Sequence, residues 1–207
     1  MVRRVYAAVF AVVGWFAVVG QYFAGHSYSV ASTIDYFSYF TILSNILVAA
    51  ILTSTALAAQ SSFWHYLRRP SVAAAATVYI TVTGLTYYFI LAAQYDLHGW
   101  TKFFDHLLHY VMPPAYVLFW LVFVPRGRLT FKTALWALVP PIVYAIYTFI
   151  HGPWTGFYPY PFVDVPKIGV RQTAINVAEF VVFFFVMSLI VLGIDRFIAR
   201  LRGPVPA

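Results

Sequence analysis

A threonine hydroxyl becomes a useful nucleophile when a neighbouring base takes its proton. An imidazole serves as that base when a carboxylate fixes its tautomer. The chain carries these parts. Asp105 and His109 are four residues apart, so on a helix they share a face. The carboxylate there would hold one ring nitrogen as N–H and leave the other as an acceptor. Pro113 lies four residues beyond His109, where its ring clashes with the histidine carbonyl and frees or bends that turn. Broken helices within membranes are tolerated where they line a cavity. Thr41 belongs to an earlier apolar segment, with Asn45 one turn further along the same face. Thr41 and His109 together would attack a carboxylic ester whose acyl chain lies among the helices.

These residues are set in six long apolar runs: 5–24, 36–59, 72–94, 106–124, 133–150 and 173–194. Each is close to the roughly 20 residues an α-helix needs to cross a bilayer. An outer-membrane barrel would instead show short segments of alternating polarity. The fold class expected is therefore all-α, a polytopic membrane protein of six transmembrane helices in one domain covering residues 1–207. The first run follows Arg3 and Arg4 as a signal peptide would. It is read as a retained helix, because it is long, contains Trp15 and Phe16 and lacks a small-residue cleavage site.

Composition agrees. Of 207 residues 62% are hydrophobic and only 9% charged, against about 45–50% and about 25% in soluble domains. The chain has no cysteine, which excludes a disulfide framework, a thiolate zinc site and a cysteine nucleophile. The net charge of +7 comes from 13 cations spread between apolar runs, not from the basic stripe that nucleic acid requires. The reading calls for no cofactor and no metal.

Cations in short loops orient a membrane protein. Arg3, Arg4, Arg68, Arg69, Arg126, Arg128, Lys132, Arg196, Arg200 and Arg202 fall on one side, and Lys102, Lys167 and Arg171 on the other. Ten against three places both termini in the cytoplasm, with a bacterial inner membrane as the expected location. The polar residues then gather toward the outer face. Thr41 lies about 7–8 Å inside the start of its run; His106 and His109 open the fourth run, His151 follows the fifth, and Asn176 and Glu179 occupy the first two turns of the sixth. Ionisable residues inside spans tend to mark function. Each also has a plainer role. A membrane threonine commonly bonds a carbonyl one turn back, Asn45 and Asn176 can glue helices together, and His106 and His151 sit where water reaches them. Glu179 would serve equally as a structural partner of Arg171 or of a histidine. As support for the pair, Asn45, His106 and Asn176 are candidate oxyanion donors, and Lys102, Lys167 and Arg171 would meet an anionic head group at the cavity mouth, or serve as interfacial anchors. Aromatics such as Phe37, Phe40, Tyr87, Tyr88 and Tyr116 would line an acyl tail. The segment 151–172, rich in aromatic residues, proline and glycine, is either an interfacial belt or a loop folded over a cavity.

Three segments carry a likeness. Residues 35–49 read DYFSYFTILSNILVA, residues 103–119 FFDHLLHYVMPPAYVLF, and residues 150–162 IHGPWTGFYPYPF. In order and topology they resemble the androgen-induced gene product family and its bacterial six-helix relatives. Animal members are threonine hydrolases of fatty-acid esters of hydroxy fatty acids. The resemblance implies Thr41 as nucleophile, in Tyr39–Phe40–Thr41–Ile42. It implies His109 as the functional histidine, second of a pair with His106, and matches His151 and Tyr160–Pro161–Phe162 to family features. Asp105 is a departure from the family pattern. The implied partner is a membrane lipid or amphiphilic acyl ester. Non-catalytic lipid or solute binding, transport, and haem ligation by His109 and His151 remain alternatives; oligomeric state is not legible.

Overall fold

A computed structural model describes residues 1–25, 29–58 and 60–201 of the chain. It is 86% helical, with no strand among the described residues. Six helical spans are long and apolar enough to cross a membrane. The protein is thus an all-α polytopic membrane protein. Arg202 and the end of the second apolar run at Ala59 lie outside the described residues.

The first span is α1 (Val2–Gly25). The second run divides in two, contrary to expectation. A short helix α2 (Val30–Phe37) is started by a reciprocal cap between Ser29 and Ser32, and the spanning helix α3 (Phe40–Leu57) begins only after an extended Tyr39. Side chains of the fifth span hold this break. Tyr144 donates to the Ser38 carbonyl at 2.9 Å, and the Tyr147 and Ser38 hydroxyls pair at 2.6 Å. A surface helix α4 (Ser62–Leu67) leads to α5 (Pro70–Thr86), which runs on through a π turn (Tyr87–Leu91) and a 3-10 turn (Ala92–Gln94).

The fourth span starts at Gly99, earlier than the apolar run suggests. It consists of α6 (Gly99–His106), a π turn (Leu107–Val111) and α7 (Met112–Phe123). The fifth is α8 (Phe131–Trp136) followed by α9 (Val139–Thr155). The sixth, α10 (Val165–Leu201), turns sharply at Gly169, whose φ of 79° and ψ of 158° suit glycine and little else.

Burial ranks the spans. The second and third are 56% and 61% buried, the fifth and sixth 22%. The core therefore lies between α1, α3, α5 and α7, around Val48, Leu52, Ile80, Met112, Tyr116 and Trp120. Small residues permit close crossings: a Cβ at Gly14 would sit 2.9 Å from the Met112 methyl carbon. The outer spans leave Val182, Val186 and Ile190 exposed, as lipid contact requires. At the end away from Thr41, Arg4 and Arg68 donate to the Ala56 and Ser54 carbonyls at 3.0 and 2.7 Å, placing cations at the negative end of α3.

Candidate functional site

The break at Ser38 and Tyr39 places Thr41 in the first turn of α3. Its backbone N–H is one of the donors that a helix start leaves without an internal partner. The Tyr160 hydroxyl accepts it at 3.0 Å and lies 3.2 Å from Thr41 Oγ1. Thr41 Oγ1 is also 3.3 Å from His109 Nε2.

The other face of that imidazole meets acceptors. His109 Nδ1 is 3.0 Å from the Asp105 carbonyl oxygen and 3.1 Å from Asp105 Oδ1. Two acceptors require Nδ1 to carry the proton, so Nε2 presents its lone pair to the threonine. Hydrogens then order in one direction: Thr41 N–H to Tyr160, Tyr160 O–H to Thr41 Oγ1, Thr41 O–H to Nε2, and Nδ1–H to Asp105. Thr41, Asp105 and His109 are 7%, 6% and 8% exposed, so these contacts are made away from bulk water, where they are stronger.

Local backbone chemistry aims the ring. Pro113 has no N–H, and the Met112 N–H reaches back to the Leu107 carbonyl, forming the π turn. The Leu108 carbonyl is left over, and Asn45 Nδ2 donates to it at 3.3 Å and to the Thr41 carbonyl at 2.9 Å. Asn45 therefore ties the broken turn to the start of α3. Facing it, Tyr87 opens the π turn of the third span. Its ring stacks on His109 with centroids 3.8 Å apart, and its hydroxyl is turned toward Asp105. Gly84 admits the approach: a Cβ there would lie 3.1 Å from the Pro113 ring and 3.3 Å from the His109 carbonyl.

Two cavities meet at Thr41. One, of about 90 Å³, is apolar and runs between the third, fifth and sixth spans, past Phe40, Val82, Phe149, Val177 and Phe184. The other, of about 260 Å³ and the more polar of the two (the polar cavity), mixes apolar walls with Gln21, Tyr39, Tyr95, Asp105 and His109. Thr41, Leu91 and Tyr160 line both. The segment after α9 closes over them. Tyr158 seals against Gly152, where a Cβ would meet its ring at 2.3 Å; Tyr160, Phe162 and Val163 face the apolar cavity, while Trp154 is exposed. The loop reading fits Tyr158, Tyr160 and Phe162, while Trp154 belongs to the last turn of α9 itself.

Other expected site residues lie elsewhere. Glu179 is exposed on α10 and lines a separate groove with Leu85, Thr86, Phe89 and Phe183. Because α10 begins at Val165, Glu179 lies beyond its first two turns. His151 lines neither cavity; its ring stacks on Tyr147, and its Nδ1 is 3.3 Å from Thr155 Oγ1. His106 is exposed, edge-on to Tyr110, on a different side of the helix from the buried His109. Asn176 donates to the Phe162 carbonyl and accepts from Gln172, which makes it a fastener of the loop. Asn45, His106 and Asn176 thus leave the Thr41 hydroxyl to Tyr160. Lys102, Lys167 and Arg171 are exposed and none lines the polar cavity; Lys167 pairs with Asp164 at 3.5 Å. Of the aromatics expected along a tail, Phe40 is in the apolar cavity, Tyr87 faces the polar one, Phe37 and Tyr88 are exposed, and Tyr116 is buried in the core.

Spacing did not single out Tyr160, Gln21 or Tyr95. Tyr160 has a signal only in its motif context, Tyr-Pro-Phe before the last span. Burial pushes the Tyr160 phenol up to about 12, so it is protonated at neutral pH. The chain matches no family model, no curated protein and no solved structure.

Proposed function

We propose that the protein is an integral membrane hydrolase of lipid carboxylic esters, with Thr41 as nucleophile, His109 as base and Asp105 as the group that holds the imidazole. The observation carrying this reading is Thr41 Oγ1 at 3.3 Å from His109 Nε2, with Nδ1 on Asp105. A resting contact slightly longer than the usual 2.6–3.2 Å is ordinary for a catalytic pair.

The chemistry follows from the arrangement. His109 Nε2 takes the hydroxyl proton as Oγ1 bonds to the ester carbonyl carbon. Negative charge develops on the carbonyl oxygen, where the Tyr160 hydroxyl is the adjacent donor and the positive end of α3 adds its field. The ester C–O bond breaks, and the imidazolium returns the proton to the leaving alkoxide. Water from the polar cavity then attacks the acyl-threonine, with the same proton movements, to release the carboxylic acid and restore Thr41. The apolar cavity suits the acyl chain. The polar cavity has ample room for water, since about 10–15 Å³ of free space holds one molecule.

The motif likeness to the androgen-induced gene product family supports the same assignment. The cation asymmetry supports cytoplasmic termini, an outward-facing site and residence in a bacterial inner membrane. Labelling of purified protein with a fluorophosphonate probe tests the nucleophile. Modification mapped to Thr41, lost in Thr41→Ala, is the expected result. Full hydrolysis of lipid esters by Thr41→Ala would overturn the mechanism.

A further inference from the structure

We infer that the acyl chain of the substrate reaches Thr41 sideways from the bilayer, through a groove between the third and sixth spans, with Phe180 as the door between that groove and the apolar cavity. This rests on the hydrolase reading above and narrows its substrate class to long-chain esters taken from the membrane. The groove holds about 420 Å³, with Leu85, Phe89 and Ile90 of the third span on one wall and Glu179 and Phe183 of the sixth on the other. Phe89 and Ile90 are exposed on a membrane-spanning helix, so the groove opens onto lipid chains. Thr86 and Phe180 line both the groove and the apolar cavity, and Thr41 lines that cavity as well.

Of the two shared side chains, Thr86 is buried and Phe180 only half-buried. The Phe180 ring carries no polar group, so turning it aside breaks no hydrogen bond. It stacks on Phe162 with centroids 4.6 Å apart, and Phe162 stacks on Tyr160 at 5.1 Å. Two ring contacts thus join the door to the hydroxyl beside Thr41. The route also decides what the chain meets on the way. Through the groove, an acyl chain passes from lipid into the apolar cavity among apolar groups. Through the polar cavity, it would first leave the bilayer and expose each methylene to water, which costs free energy in proportion to the area exposed, and then pass Asp105 and Tyr39. Glu179 marks the same place independently. It stands within the sixth apolar run, and an ionisable residue at lipid depth tends to mark a substrate path. The π turn that brings Tyr87 to His109 also sets Phe89 and Ile90 on the groove, so one irregular turn serves both the site and its approach.

The test uses the full-length protein in phosphatidylcholine vesicles and two esters of para-nitrophenol. The palmitate resides in the bilayer; the acetate dissolves in water and can reach Thr41 through the polar cavity. Leu85→Trp and Phe183→Trp fill the groove. Each should lower palmitate cleavage at least about tenfold, the scale on which an apolar pocket registers a change of a methylene or more, and leave acetate cleavage unchanged. Phe180→Ala widens the door and should raise the ratio of palmitate to acetate cleavage several-fold. Val186→Trp, exposed on the same helix but outside the groove, should leave the ratio as it is. An unchanged ratio in the groove variants and in Phe180→Ala would overturn this inference and leave the hydrolase reading standing. Equal loss of both esters in variants that melt as the natural protein does would overturn it too, as would the same drop in Val186→Trp. Phe180→Ala adds no bulk, so it decides the matter where a tryptophan variant does not fold. If the natural sequence cleaves neither ester, the hydrolase reading falls and this inference with it.

Discussion

At the scale of single residues, the imidazole is fixed on both sides, and that makes the roles separable. Thr41→Ala removes the attacking atom and should abolish turnover. His109→Ala should cost about 10²–10⁴-fold in kcat, the usual worth of a positioned base. Asp105→Asn tests orientation: an amide nitrogen turned toward Nδ1 favours the wrong tautomer, so kcat should fall by a similar factor with KM little changed. Stopped assays on folded, detergent-solubilised variants read all three. Tyr160→Phe keeps the ring and removes the donor, and should lower kcat about 10²–10³-fold. It also has a signature in stability. Burial raises the Tyr160 phenol to about 12 from about 10 in the unfolded chain. Between those values the folded state holds a proton that the unfolded state has lost. Stability from this group is therefore complete below about pH 10 and declines as pH rises toward 12. Thermal melts across that window should decline less steeply for Tyr160→Phe. Asp105 and His109 were legible as a pair because i and i+4 is a local relation. Tyr160 touches Thr41 across 119 positions of chain, a contact that no spacing rule reaches.

The elements that hold the site are irregular where they approach it. Two π turns, Leu107–Val111 and Tyr87–Leu91, face one another through the Tyr87–His109 stack, and π turns are common at functional sites. The sequence announces the first through Pro113. The second has no proline and merges with a continuous apolar run, so only tertiary packing reveals it. The divided second run shows the same limit: residues 36–59 hold no proline, glycine or charge to announce an interruption, and the break at Ser38 depends on Tyr144 and Tyr147 from a distant helix. Gly84 makes the facing turns possible, which yields a prediction at this scale. Gly84→Ala presses a methyl group onto the Pro113 ring and the His109 carbonyl, neither of which yields as a flexible side chain would. It should destabilise by about 1–3 kcal/mol. Gly84→Val should force the third and fourth spans apart, lowering both the melting temperature and ester turnover. A Gly84→Val protein with unchanged kcat would mean that the spacing of these two spans does not govern the site.

For the whole molecule, what remains to be tested is which way the site faces. Six spans were legible because lipid demands long apolar runs with internally satisfied backbones; their direction follows from charge counted along loops. The structure gathers the counted charges at opposite ends of the bundle. Arg4 and Arg68 sit on the C-terminal end of α3, and Thr41 occupies its N-terminal turn, the end near which Lys102 and Lys167 flank the fourth and sixth spans. Cytoplasmic cations therefore imply a site reached from the outer face, and substrate drawn from the outer leaflet. The absence of cysteine makes this measurable without background. Lys102→Cys and Lys132→Cys each introduce one thiol at an exposed position, on opposite sides of the proposed topology. In intact cells a membrane-impermeant maleimide should label Lys102→Cys and leave Lys132→Cys unmodified until the membrane is permeabilised. The reverse pattern would invert the protein and place Thr41 on the cytoplasmic side. Labelling of both thiols in intact cells would mean that the number of crossings between them is even, in conflict with a fourth span running from Gly99 to Phe123.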